Sequence, residues 1–177
     1  MREAARRAAL RALRAADLLR LRVRRVLAPG LRVAPGASSN FAHARLCIAP
    51  GAVVRLGAGA VTERRPGWLS LVAEEGAEIV VGEGAWLRTE VAPVCLVAYA
   101  GARLHVGPGA LLNGCTVSAK REVRIGERAL LGPGTRVYDA DQHDRDAEHP
   151  EEVEPVHIGD HAWIAADSTV LRGVRIG

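Results

Sequence analysis

Between Tyr138 and His161 the chain collects the side chains that proton chemistry needs. His143, His149, His157 and His161 fall in this span, and His143 is flanked by Asp139, Asp141, Asp144 and Asp146. An imidazole titrates near neutrality, so it can take a proton from a hydroxyl while that oxygen attacks a carbonyl. A carboxylate or backbone carbonyl on the second ring nitrogen would fix the tautomer and stabilise the imidazolium. Four histidines so close together also raise zinc on ligand type. Cys47, Cys95 and Cys115 show no CxxC or other metal spacing, and they read as small buried apolar residues in a reducing compartment. The pairs Gly57/Gly59, Gly82/Gly84 and Gly107/Gly109 lack a following Gly-Lys-Ser/Thr and a following helix, so they read as turns rather than phosphate loops.

The elements that must carry these residues are written as a repeat. An aliphatic residue, Gly or Ala, two variable residues and a small residue recur as Val81-Gly-Glu-Gly-Ala85, Val106-Gly-Pro-Gly-Ala110, Ile125-Gly-Glu-Arg-Ala129 and Ile158-Gly-Asp-His-Ala162. Ile158, Ile164, Val170 and Ile176 are spaced by six, as are Ile125, Leu131 and Val137, and a second self-match places Val72 against Val97, 25 residues on. A six-residue aliphatic period fits short strands joined by tight turns in a solenoid, with three faces making a coil of 18 residues. The phase is lost over about 138–157, which predicts a polar loop projecting from the scaffold, where function concentrates. Residues 2–27 are Ala, Leu and Arg without Gly or Pro and predict a helix, with Leu10, Leu13, Asp17 and Leu21 near one face. The expected domains are therefore an Arg-rich helix, 1–28, and a β-solenoid, 29–177.

Val137-Tyr-Asp-Ala-Asp-Gln-His143-Asp, then Pro155-Val-His-Ile-Gly-Asp-His-Ala-Trp-Ile-Ala165 and Val170-Leu-Arg-Gly-Val-Arg-Ile-Gly177, resemble the hexapeptide-repeat acyltransferases. The nearest branches are the maltose and galactoside O-acetyltransferases and the polysaccharide O-acetyltransferases. The resemblance is specific over about residues 104–177. It implies an all-β solenoid, a left-handed parallel β-helix, assembled as a homotrimer. It also implies acetyl transfer from acetyl-CoA, as co-substrate, to a carbohydrate hydroxyl, with cell-surface polysaccharide intermediates among the acceptors. Mapped on this sequence, His143 is the general base, with Asp141, inside the motif word, the preferred carboxylate to orient it. Trp163, Ile164, Ala165 and Ala166 line the acyl donor, and Asn113 helps bind the acceptor. The acyltransferase phrase is more complete than the zinc pattern of related carbonic anhydrases, so no metal is expected. The family continues with further coils where this sequence stops, so missing C-terminal coils, and with them part of the donor groove, are an expectation here. A serine or N-acetyltransferase, or a non-catalytic β-helix scaffold, is the alternative.

Charge and composition set the remaining bounds. Residues 1–27 hold nine arginines against Glu3 and Asp17, a net +7; the whole chain carries +4, which leaves −3 for the body. A nucleic-acid binder would carry its basic residues over the main fold, and aromatics at 3% give no stacking platform. No apolar run reaches the roughly 18 residues of a membrane span. The longest, Val91 to Ala102, contains Pro93 and suits a buried strand. The expected location is cytoplasmic; the basic helix reads first as a solvated or packing helix ahead of the domain, with contact to an anionic membrane on its inner face and a transit segment as the alternatives.

Overall fold

Each copy of the repeated word folds as the end of one strand, a corner and the start of the next strand. Val81, Ala85 and Leu87 are all buried, so the aliphatic residue, the small residue and the next aliphatic residue point inward. The corner closes when the Ala85 N–H donates to the Gly82 carbonyl at 3.3 Å, and Ala60 with Gly57 and Ala110 with Gly107 repeat the bond at 3.2 and 3.3 Å. The inward corner position takes a small side chain: Ala60, Ala85, Ala110 and Ala129 are all fully buried there, and so is Thr135.

These units build three sheets with every pairing parallel, in a computed structural model that describes residues 2–144 and 146–177. Sheet I has seven strands, from Leu31–Val33 to Arg175–Ile176; sheet II has five, from Val61–Thr62 to Trp163–Ile164; sheet III has six, from Arg45–Ile48 to Thr169–Val170. From Val53 on, successive strands visit I, II and III in turn, and their inward side chains merge into one core. The architecture is thus three parallel sheets plus one N-terminal helix, compatible with a parallel β-helix.

The circuits are longer than the six-residue period implies. Val53 pairs with Glu78 and Glu78 with Arg103, a circuit of 25, and only the last, His157 to Arg175, is 18. Segments 63–68 and 89–93, between sheets II and III, account for the excess, so the 25-residue self-match, not the 18-residue coil, describes the middle of the chain. The apolar run from Val91 divides likewise: its strand is Val94–Ala98, and Val91 is exposed in the connection before it.

The paired glycines have two separate causes. A Cβ on Gly107 would lie 2.5 Å from the Gly126 carbonyl carbon of the next circuit, and one on Gly82 would lie 2.6 Å from that of Gly107. The second glycine of a pair has positive φ, 63° at Gly109, a conformation that Arg128 and His161 adopt in later corners. Gly107→Ala should therefore destabilise by about 1–3 kcal/mol through overpacking against backbone, and Gly109→Ala by about 1 kcal/mol through its φ. Urea unfolding of the two variants checks this; equal or inverted costs would refute the stacking account.

The helix α1, Arg2–Leu27, docks through a short stripe. It meets the 3-10 turn Ser39–His43, which takes the place of a sheet II strand in the first circuit and buries Phe41, Ala42 and His43. The turn is held to the next circuit by Asn40 Nδ2 donating to the Thr62 carbonyl at 2.8 Å. Asp17 is buried against it. It accepts from Arg64 Nε at 2.9 Å and from His43 Nε2 at 2.7 Å, and the Arg64 guanidinium, with His43, holds its carboxyl below the usual range. Leu21 is the other buried residue of the stripe, and Leu10 and Leu13 on the same side extend into solvent.

The three cysteines are not all buried, contrary to what their sequence suggests. Only Cys115 is buried, its thiol pushed up to about 12 by desolvation; Cys95 is half-buried and Cys47 is exposed. Cys47 and Cys95 occupy outward positions of sheet III strands, where alternation turns them from the core.

Candidate active site

The loop 139–155 joins sheet III to sheet I, and its root is a buried carboxylate. Asp139 is fully buried and accepts three backbone N–H bonds, from Lys120 on Oδ1 and from Arg121 and Glu122 on Oδ2, each 2.7 Å. These three amides form the same corner one circuit earlier, so Asp139 ties the loop to the circuit below. The Glu154 N–H closes the loop on the Asp139 carbonyl at 2.8 Å, and Ala140 bridges Val153.

One cation from each neighbouring circuit then holds the loop body. From below, Lys120 Nζ meets both oxygens of Glu151 at 2.7 Å and lies 5.1 Å from the Tyr99 ring centre. From above, Arg172 meets Asp141 at 2.7 Å, Glu152 at 2.6 Å and Glu154 at 2.7 Å, and the Asp141 carboxylate raises its pKa further. Arg172 is thus committed to the loop rather than to a free phosphate. A guanidinium suits this position because its planar fork can serve several carboxylates at once.

His143 lies exposed on this anchored loop, next to Gln142, whose φ is +73°. Its Nδ1 is 3.0 Å from the Asp144 carbonyl. A carbonyl only accepts, so Nδ1 carries the hydrogen and Nε2 of the neutral ring keeps its lone pair. A backbone carbonyl therefore holds the ring in place of the carboxylate expected there, Asp141. The four flanking carboxylates have other engagements: Asp139 with the corner amides, Asp141 with Arg172, Asp144 with the Glu151 N–H at 2.7 Å, and Asp146 with His149 Nδ1 at 2.7 Å. His157 faces Glu122 at 3.4 Å from a sheet I strand, and His161 sits at the next corner. Among the described residues no group of three or more His, Cys, Asp and Glu side chains is placed to hold a metal ion.

The remaining candidates lie elsewhere on the three sheets. Trp163, at the start of the last sheet II strand, is 75% exposed, and Ala165 and Ala166 after it are exposed too. Ile164 between them is buried at 7%, so only its backbone can face a donor; alternation turns its side chain into the core. Asn113 ends a sheet II strand beside Arg88, its Oδ1 buried without a partner among the described residues. Asn113 is thus at the corner from sheet II to III, His143 at the corner from III to I, and Trp163 beyond the corner from I to II. One protomer separates the three.

No protein-family model matches this chain, and neither a curated protein nor a solved structure matches it significantly.

The residues that sequence reasoning undervalued are Asp139, Lys120 and Arg172. In the sequence Asp139 is one of four aspartates around His143, and nothing near it distinguishes a corner-capping carboxylate. Lys120 and Arg172 each lie one circuit away from the loop they hold, a proximity created only by stacking.

Proposed function

We propose that this chain is an acetyl-CoA-dependent O-acetyltransferase for a carbohydrate hydroxyl, folded as a left-handed parallel β-helix and working as a homotrimer. The observation that carries the reading is the His143 ring: on a loop anchored from two circuits, its Nδ1–H is given to a backbone carbonyl and Nε2 is left as a proton acceptor. Nε2 takes the acceptor hydroxyl's proton as the oxygen bonds to the thioester carbonyl carbon. Backbone N–H groups of a turn hold the resulting oxyanion. The C–S bond then breaks, and the imidazolium returns the proton to the departing thiolate.

Two features support the trimer. The separation of Asn113, His143 and Trp163 over three corners means that a site using all three draws them from more than one copy. In addition, Val61, Trp86, Leu111, Leu130 and Trp163 stand in register up the outer face of sheet II. Four of the five are more than a third exposed. This apolar column, roughly 19 Å long at the inter-strand spacing, suits burial against another copy under cyclic symmetry.

Purified protein given acetyl-CoA and pooled sugars should release free CoA thiol and yield acetyl esters. No acetyl ester with any sugar, from a correctly assembled protein, would leave a scaffold. Light scattering should give about three times 18.8 kDa, and Leu130→Asp should shift it toward monomer. A monomer that still transfers acetyl groups would reject the shared site.

A further inference from the structure

We infer that the outward side of α1 is a docking surface for an anionic phospholipid bilayer, on which the helix lies flat. With 3.6 residues per turn, Asp17, Leu21 and Arg24 face the body, and the opposite side carries Ala5, Ala8, Ala12, Leu19, Val23 and Val26. No charged residue falls within that side. Leu19 is 62% exposed, Val23 50% and Val26 81%, so these side chains stand open to solvent. Arginines stand at both borders, Arg11 and Arg22 along one and Arg20 along the other. Both acids of the helix are turned away: Asp17 is buried, and Glu3 pairs with Arg7. An apolar strip bordered by cations, with the anions on the reverse, matches the interface of a negatively charged bilayer, where side chains enter the acyl boundary and guanidinium groups meet phosphates.

A second observation points to the same phosphates. Along the border of Arg22 and Arg25, α1 and the first strands of sheet I enclose an open groove of about 1070 Å³, into which Arg32 and Arg55 also face over Val33 and Val80. Arg55 is paired with Glu78 at 3.0 Å, while Arg22, Arg25 and Arg32 have no ion pair among the described residues. Cations around an apolar floor fit a phosphodiester head with the start of its acyl chains. Among the described residues no helix is long and apolar enough to cross a membrane, so the mode is surface attachment.

The test is co-sedimentation of the full chain with vesicles of equal parts phosphatidylcholine and phosphatidylglycerol, and with phosphatidylcholine alone. Binding should be strong on the anionic vesicles at about 0.1 M salt, weak on the neutral ones, and largely lost near about 1 M salt. Leu19→Glu with Val26→Glu should reduce it at least about tenfold, and Arg22→Ala with Arg25→Ala should reduce it too. The same apolar-to-acid change at exposed Leu171, in the last circuit at the other end of the sheets from α1, should not. Both helix variants should keep the parent's β circular dichroism and thermal midpoint, because all four altered side chains are exposed. Absence of binding to the anionic vesicles overturns the inference. So does undiminished binding by the Leu19/Val26 variant, which would leave a purely electrostatic patch. If that variant instead halves the assembly's mass and the parent ignores vesicles, the strip packs against a second copy of the chain.

Discussion

His143→Ala should lower acetyl transfer by roughly 10²–10⁴-fold, the range for loss of a positioned general base. Acetyl-CoA binding and assembly should change little, because the exposed ring packs against nothing in the core. His149→Ala, in the same loop, should cost far less: its Nδ1 is engaged with Asp146, and that carboxylate also accepts from the Glu148 and His149 N–H groups. Asp141→Asn offers a sharper comparison. If Asp141 oriented the base directly, its loss would reduce turnover almost as much as loss of the imidazole. Since the Asp144 carbonyl holds the ring, Asp141→Asn should loosen only the Arg172 anchor, with Glu152 and Glu154 still in place. Steady-state turnover with donor affinity measured separately distinguishes these cases. Near-normal turnover in His143→Ala, or a larger loss in His149→Ala, would place the base elsewhere.

Asp139→Ala should destabilise the fold by about 2–4 kcal/mol. Three amide donors lose a charged acceptor in one change, and hydrogen bonds to charged groups each contribute more than neutral ones. Solvent can reach the corner, where Arg121 is exposed, so water recovers part of the loss and keeps the figure below a simple sum. Asp139→Asn should fall between the parent and the alanine variant. Its single oxygen can still accept two of the bonds, but its NH2 then faces a third N–H, donor against donor. Denaturant unfolding gives the ranking. A cost below about 1 kcal/mol for Asp139→Ala would mean that the corner amides are satisfied without it. Activity should fall along with stability in this variant, whereas His143→Ala should leave stability intact. That contrast separates the residue that holds the loop from the residue proposed to do chemistry.

The sequence by itself determined the parts that depend on local pattern. The aliphatic-Gly-x-x-Ala words marked strand ends and corners because an inward aliphatic, a tight turn and a buried methyl recur within a few residues. The uninterrupted Ala-Leu-Arg run marked α1, and the loss of phase after Val137 marked the loop almost to its limits, Tyr138 and Val156. Tertiary structure decided what depends on stacking one circuit on another. The circuit length followed the connections at 63–68 and 89–93, which a six-residue period does not count. Gly107 is set by backbone one circuit away, and Gly109 by its own φ, although the two look alike in the chain. Ile164 stands next to Trp163 in sequence but on the opposite side of its strand. The partners of Asp139, Asp141 and Glu151 were equally hidden. A loop of alternating acids and histidines offers many pairings of similar local cost, and the choice fell to Lys120 and Arg172, brought there by the circuits below and above. Strand spacing of about 4.8 Å joins residues far apart in the chain, and those contacts have no signature in any short stretch of sequence.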